Sequence, residues 1–231
     1  LFYVQDYVAN STYDFDYLDY KLSTDDLIKI DISSESPEAT LQLSRNSSLN
    51  QFSNMDLVKL NGYQIDDSGN IIYPGLGKIM VAGKTIFEVR SLIYELIIDR
   101  GILNDPFVDV KLINSTFTIL GEVAIPGRYD FIENDMNLFE AIGMAGDLTI
   151  NGTRKDIKII RDKNGTKKVF SADITSADLI KSPQFQIFPG DIIIVNPNYS
   201  RVKNAGIIGD SGTLLSLFSF VLSMIILISS N

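Results

Sequence analysis

The chain has 231 residues, 45% of them apolar and 21% charged, with a positive mean hydropathy, so it holds enough apolar material for one large or two small cores and is not a disordered polymer. Twenty basic against 29 acidic residues give a net charge of −9, which repels a phosphate backbone and argues against a nucleic-acid partner. With no His and no Cys, zinc sites of the usual ligand type, haem, thiol nucleophiles and imidazole-based triads are excluded, and there is no disulfide framework.

The charge is uneven. Residues 1–35 hold eight acids, Asp6, Asp14, Asp16, Asp19, Asp25, Asp26, Asp31 and Glu35, against Lys21 and Lys29. Half of the ten tyrosines, Tyr3, Tyr7, Tyr13, Tyr17 and Tyr20, fall in the first twenty residues with Phe2 and Phe15. An acidic, aromatic arm of this kind (residues 1–17) builds no core of its own and is expected to dock as an edge segment on its own domain or a neighbour. The chain begins at Leu1 without an initiator Met, a basic n-region or an apolar h-region, so a signal peptide is expected to have been removed or left out.

In chain order, Leu27, Ile28, Ile30 and Ile32 alternate as a strand, and the Ser- and Asn-rich stretch 33–54 reads as an excursion. Residues 62–65 and 71–73 flank Asp66-Asp67-Ser68-Gly69-Asn70, a hairpin turn signature. Thr85 with Glu88 forms a capping box before a helix whose apolar face is Phe87, Leu92, Ile93, Leu96 and Ile97, ending at Gly101. Pro106 leads into a strand through Phe107, Val108, Val110 and Leu112.

A second unit opens with a strand over residues 117–123, turns at Pro126-Gly127 and continues through Tyr129 and Phe131. A short helix follows, with Asn137 as N-cap, Glu140 three positions on, and Gly146 beyond its end. Ile157, Ile159 and Ile160 return through Asn164-Gly165 to Val169 and Phe170. After a helical turn at residues 177–180, Phe185, Ile187 and Phe188 lead through Pro189-Gly190-Asp191 to a strand over residues 192–195. The pattern is α+β in two units.

The C-terminal stretch is different in kind. Residues 211–231 carry no charge, and twelve of the sixteen residues from 213 to 228 are Leu, Ile, Phe, Val or Met. As a helix those sixteen reach about 24 Å, close to but short of a hydrocarbon core of about 30 Å. Membrane insertion is expected, because no polar face wide enough for water is present. Stepped at about 100° per residue, Gly212, Ser216, Ser219, Ser223 and Ser230 fall within an arc of about 60°. Such a stripe suits helices packed side by side or facing a wet lumen; the alternative is a lone anchor whose hydroxyls bond back to their own helix.

Several tempting motifs fail on spacing. Gly83-Lys84-Thr85 resembles the end of a phosphate-binding loop, but the required first glycine position is Lys78. Asp66, Asp67 and Asn70 lack the remaining ligands of a calcium loop. Adjacent acids such as Asp25 with Asp26, or Glu133 with Asp135, are expected to be solvated loop residues rather than a glycosidase pair.

Together the motifs resemble one family. YKLSTDDLIKI at residues 20–30 is similar to the opening of the polysaccharide export domain of bacterial outer-membrane capsule and exopolysaccharide translocons. GYQIDDSGNIIYPGLGKIMVAGKT at 62–85 resembles its hairpin and helix entry, and DPFVDV at 105–110 its closing strand. FTILGEVAIPGRY at 117–129 is similar to the start of a soluble-ligand-binding β-grasp (SLBB) domain, followed by its later signposts at 138–146 and FPGDIIIVNP at 188–197.

The resemblance implies an export domain over residues 18–113, one SLBB β-grasp domain over 114–200 and a transmembrane helix over 204–231. It further implies a non-enzymatic, cofactor-free homo-oligomer, a ring that is often an octamer. The helices of that ring would line an outer-membrane pore for capsular or exopolysaccharide, with the soluble domains in the periplasm. Its partners would be the exported polymer, outer-membrane lipid and an inner-membrane polysaccharide co-polymerase. A lipid anchor is implied by the family alone, since this chain lacks the acylated Cys. A single SLBB domain, where the best-known capsule translocon has more, implies a shorter periplasmic vestibule. Two other readings stand beside it: a tail-anchored periplasmic glycan-binding receptor without a pore, and a carboxylate-dependent glycan hydrolase.

Overall fold

The computed structural model describes residues 3–13, 15, 17–34, 61–132, 135–163, 165–198 and, near the C-terminus, 215–216, 218–220 and 222–225. Most of the Ser- and Asn-rich excursion at 33–54 lies outside the described residues, as do Gly212 and Ser230.

Two separate clusters of buried residues organise the chain, one drawn from residues 22–112 and one from 117–195. In the first, alternation puts Ile28 and Ile30 of β1 (Leu27–Ser33) on the inner face. The strand β1 pairs antiparallel with the two-residue β2 (Tyr63–Gln64) on one side and with β5 (Phe107–Leu112) on the other. The register sets Ile28 opposite Leu112, Ile30 opposite Val110 and Ile32 opposite Val108, so one face is continuously apolar. Between them, β3 (Asn70–Tyr73) and β4 (Gly77–Met80) form a separate antiparallel pair.

That pairing corrects the hairpin expected across Asp66–Asn70. The turn forms, with Asp66 N–H donating to the Asn70 carbonyl at 2.8 Å and Gly69 N–H to the Asp66 carbonyl at 2.8 Å. Its two flanks nevertheless belong to different sheets, because β2 is captured by β1 and β3 by β4.

The helix α1 (Ile86–Asp99) is fixed at its start by the expected capping box. Glu88 N–H donates to the Thr85 hydroxyl at 3.1 Å, and Thr85 N–H donates to the Glu88 carboxylate at 2.7 Å. Val89, Ile93 and Ile97, four apart, are its buried ridge against the sheet. The helix ends with Arg100 as its C-cap, and the chain turns through Gly101 at φ +63°. Thr85→Ala should remove the cap and cost about 1 kcal/mol, read as a lower thermal midpoint, with Thr85→Ser retaining most of the stability.

The second cluster fills a five-stranded mixed sheet in the order β7-β6-β10-β8-β9. Its strands are β6 (Thr116–Gly121), β7 (Gly127–Asp130), β8 (Gly152–Lys163), β9 (Thr166–Ala172) and β10 (Ile192–Pro197). Residues 126–127 join β6 to β7 as expected, and the β8–β9 hairpin closes with Lys163 opposite Thr166. Between β7 and β8, α2 (Leu138–Met144) carries its own capping box, Asn137 with Glu140, and ends before Gly146 at φ +75°. A 3₁₀ turn covers Ala177–Lys181.

Strand directions give this unit two poles. At one lie the start of β6, reached from the first unit through residues 113–115, and the β8–β9 hairpin. At the other lie the ends of β6, β9 and β10 and the starts of β7 and β8. The junction at the first pole is pinned by Asn114, which accepts from Leu27 N–H at 2.9 Å and donates to the Asp25 carbonyl at 3.0 Å.

Candidate functional site

Three features bear on function: the arm, the pole where the chain leaves the second unit, and the apolar tail. The arm does dock, and on the second unit rather than the first. Val4 and Gln5 N–H donate to the carbonyls of Ile174 and Thr175, at 3.0 and 2.6 Å. The Asp6 carboxylate accepts from Ala177 N–H at 2.5 Å and the Ser176 hydroxyl at 2.8 Å, and these bonds hold it below its ordinary pKa. Tyr3 packs edge-on against Phe139 and donates to Asp147. Phe15 sits edge-on against Phe185, with ring centres 5.6 Å apart.

Leu18 completes the attachment. Its N–H donates to Gln186 Oε1 at 2.8 Å and its carbonyl accepts from Gln186 Nε2 at 2.9 Å, so one buried side chain clamps one arm peptide. Gln186 is beside the start of β10 and Ile174 just past the end of β9, so the arm runs the length of the unit from the exit pole to the pole that meets the first unit. Excess acid and aromatic content signalled that the arm would dock. The clamp by Gln186 carried no sequence signal, because a Gln between Phe185 and Ile187 looks like any loop residue.

At the exit pole, Asn198 N–H donates to the Asn151 carbonyl at 2.6 Å and its side-chain amide donates to the Ile150 carbonyl at 3.2 Å. Tyr3 is bonded to Asp147, in the same turn. The chain therefore starts its arm and leaves its sheet at one pole.

In the tail, residues 215–216, 218–220 and 222–225 are helical, and their described side chains are exposed. Ser216, Ser219 and Ser223 are all on this helix, whereas Gly212 and Ser230 are outside the described residues. The Ser223 hydroxyl donates to the carbonyls of Ser219 at 2.8 Å and Phe220 at 3.0 Å, bonding back to its own helix. The membrane-spanning helix expected over 204–231 is not supported: among the described residues no helix is long and apolar enough to cross a membrane.

The rejected motifs have structural duties. Gly83 N–H donates to the Leu22 carbonyl at 2.7 Å and Leu22 N–H to the Lys84 carbonyl at 2.9 Å, which ties the segment before β1 to the helix entry. The Asp66 carboxylate accepts from Ser68 and Asn70 N–H groups, which stabilise its charged form and hold its pKa low. A shallow cavity of about 310 Å³ beside this turn is lined by Gly62, Tyr63, Gln64, Asp66, Asn70 and Ile72. Asp26 is buried with Tyr20, whose hydroxyl donates to it at 3.0 Å, and burial raises the pKa of both groups.

Comparison with known proteins adds a family to this geometry. Residues 16–113 match the family described as polysaccharide biosynthesis/export protein, and residues 116–170 match the SLBB domain. A protein of Ralstonia solanacearum named EPS I polysaccharide export outer membrane protein EpsA is 34% identical over 140 residues, 59% of this chain and 36% of the relative. The protein of the same name from Ralstonia nicotianae (strain ATCC BAA-1114 / GMI1000) is 32% identical over 159 residues, 64% of this chain and 39% of the relative. The chain thus spans somewhat more than a third of the length of the curated relatives it matches. The first matched segment coincides with the first buried cluster and the second with the β6-to-β9 part of the other, in the order that the motifs gave: the chain carries an export domain of the polysaccharide biosynthesis/export family followed by an SLBB domain.

Proposed function

We propose that this chain is part of a non-enzymatic outer-membrane exporter of capsular or exopolysaccharide, with its domains meeting at residues 113–114. Both soluble domains stand in the periplasm, the export domain toward an inner-membrane polysaccharide co-polymerase and the SLBB domain toward the outer membrane. Copies assemble as a ring, and their tails pack through Gly212, Ser216, Ser219, Ser223 and Ser230 around a hydrated path for the polymer. Small hydroxyls offer passing sugars weak hydrogen bonds without retaining them.

The observation that carries the reading is the convergence of arm and exit at one pole of the SLBB domain. Tyr3 is tied to Asp147 and Asn198 to Ile150 and Asn151, while the export domain hangs from the opposite pole. An acyl anchor preceding the arm and an apolar tail following Asn198 would then enter the same bilayer from the same side. For lateral assembly, α1 exposes Phe87, Tyr94 and Ile98 along one face, about 120° around the helix from its buried ridge.

Ser223 bonding back to its own helix favours a second reading, a lone tail anchor on a periplasmic glycan receptor. The two separate on two measurements. The exporter predicts rotational symmetry in electron micrographs of the detergent-extracted protein, and loss of surface polymer when residues 207–231 are deleted. Undiminished surface polymer after that deletion would overturn the role of the tail as the pore, and a monomer with saccharide affinity would support the receptor.

A further inference from the structure

The exit pole of the SLBB domain carries apolar tips that the fold leaves uncovered. Ile125, in the turn between β6 and β7, is 63% exposed; Ile150, before β8, is 74% exposed; and Met144, at the end of α2, is 41% exposed. Single exposed apolar residues are ordinary on a soluble surface. These three are gathered by topology: Ile125 N–H donates to the Ala145 carbonyl at 2.9 Å, one residue past Met144. On the same pair of segments Thr149 N–H donates to the Glu122 carbonyl at 2.9 Å, one residue before Ile150.

The acids around them are engaged internally. Glu122 accepts from the Thr149 hydroxyl at 2.6 Å, Asp147 accepts from Tyr3 and from Leu148 N–H, and Asp173 accepts from the Thr175 hydroxyl and N–H at 2.6 and 2.9 Å. Between Asn198 and the uncharged run that begins at Ser211 the charges are Arg201, Lys203 and Asp210, with the two basic residues nearer the sheet. Basic residues followed by an apolar segment are the usual composition of a lipid–water boundary.

We propose that this pole is a lipid-contacting surface: Ile125, Ile150 and Met144 rest in the headgroup region of the bilayer that receives the tail, fixing the tilt of the SLBB domain against the membrane. The occupant is a lipid surface rather than a protein, because the beginning of the arm and the end of the sheet both reach this pole, and the only long apolar run in the sequence follows it. Apolar side chains on loop tips gain by leaving water for the acyl boundary, at a depth of about 5–10 Å. The inference rests on insertion of the tail.

The absence of native cysteine makes the test direct. Single variants Ile125→Cys, Ile150→Cys, Ile72→Cys and Leu222→Cys of the full chain, each carrying an environment-sensitive fluorophore, are reconstituted into phosphatidylethanolamine–phosphatidylcholine vesicles. Ile72, 74% exposed on the export domain, matches Ile150 in exposure. Labels at 125 and 150 should lose about threefold or more in iodide quenching and become quenched by headgroup-region nitroxide lipids, while the label at 72 changes in neither respect. Labels at 125 and 150 that stay as open to iodide as the one at 72, while the 222 label is quenched by lipid, overturn the inference and leave the proposed function standing. Labels shielded from iodide but not quenched by lipid indicate a second copy on this pole and also overturn it. A 222 label outside lipid overturns tail insertion itself and this inference with it.

Discussion

Arg161→Ala is expected to cost the SLBB domain about 3–5 kcal/mol, the loss associated with breaking a buried ion pair on one side. Arg161 grips Asp191 with Nε at 2.9 Å from Oδ1 and Nη2 at 2.7 Å from Oδ2, and the same Nη2 donates to the Gln186 carbonyl at 2.7 Å. Its guanidinium centre is 4.1 Å from the centre of the Phe188 ring. Asp191 is 1% exposed, so deletion of Arg161 leaves a carboxylate in the core with the Phe188 N–H at 2.9 Å as its main remaining donor. Gln186 also loses a partner, and through it the clamp on Leu18, so the arm should loosen together with the domain.

The pH dependence follows from the direction of the Asp191 shift. Burial raises its pKa above the ordinary 3.8, while Arg161 and the Phe188 N–H pull it back down. Folded protein then holds the Asp191 proton more readily than unfolded protein, so this group contributes less stability as pH rises from the ordinary carboxylate value through the folded one. Without Arg161 the folded value climbs further, and protonation relieves more of the buried charge. Urea unfolding should therefore show a larger penalty for Arg161→Ala near about pH 7 than near about pH 4, and an equal penalty at both would show that the Asp191 charge is not its source. Arg161→Lys should restore only part, because an ammonium cannot make the forked contact.

Gly121→Ala is the second large effect. Gly121 ends β6 at φ +93°, where it pairs with Val195 of β10, and an added Cβ would stand 2.1 Å from the Val195 carbonyl oxygen. That oxygen also accepts from Glu122 N–H at 2.9 Å, so it cannot move without breaking the end of the parallel pair. Backbone strain and overpacking together should cost about 3 kcal/mol or more. Two other glycines calibrate the measurement. At Gly165, φ is +77° with open space, so Ala should cost about 1 kcal/mol from strain alone. At Gly127 the nearest atom is 3.9 Å away and φ is unexceptional, so Ala should stay within about 0.5 kcal/mol. Thermal midpoints in that order would establish close approach at Gly121; equal shifts for 121 and 165 would reduce its effect to dihedral strain.

Local chemistry determined most of the elements. Thr85 with Glu88, and Asn137 with Glu140, cap helices because their side-chain oxygens lie within reach of the N–H groups a helix start leaves unpaired, and that geometry needs no tertiary partner. Likewise, alternation along β1 and β5 and the turn before Thr166 are written in adjacent residues. The order of the two family domains was legible for the same reason, as runs of short-range signals in sequence.

Tertiary structure decided what depends on distant segments. The flanks of the Asp66 turn parted into two sheets because β1 and β4 offered longer partners than each flank offered the other. Parallel pairing of β6 with β10, the salt bridge from Arg161 to Asp191 and the Gln186 clamp join residues that no periodicity relates. The composition of the arm and tail marked both as segments without a core of their own. That arm and exit meet at one pole follows only from strand direction in the folded sheet, because pairing between segments far apart in sequence brings the ends of β6, β9 and β10 together there.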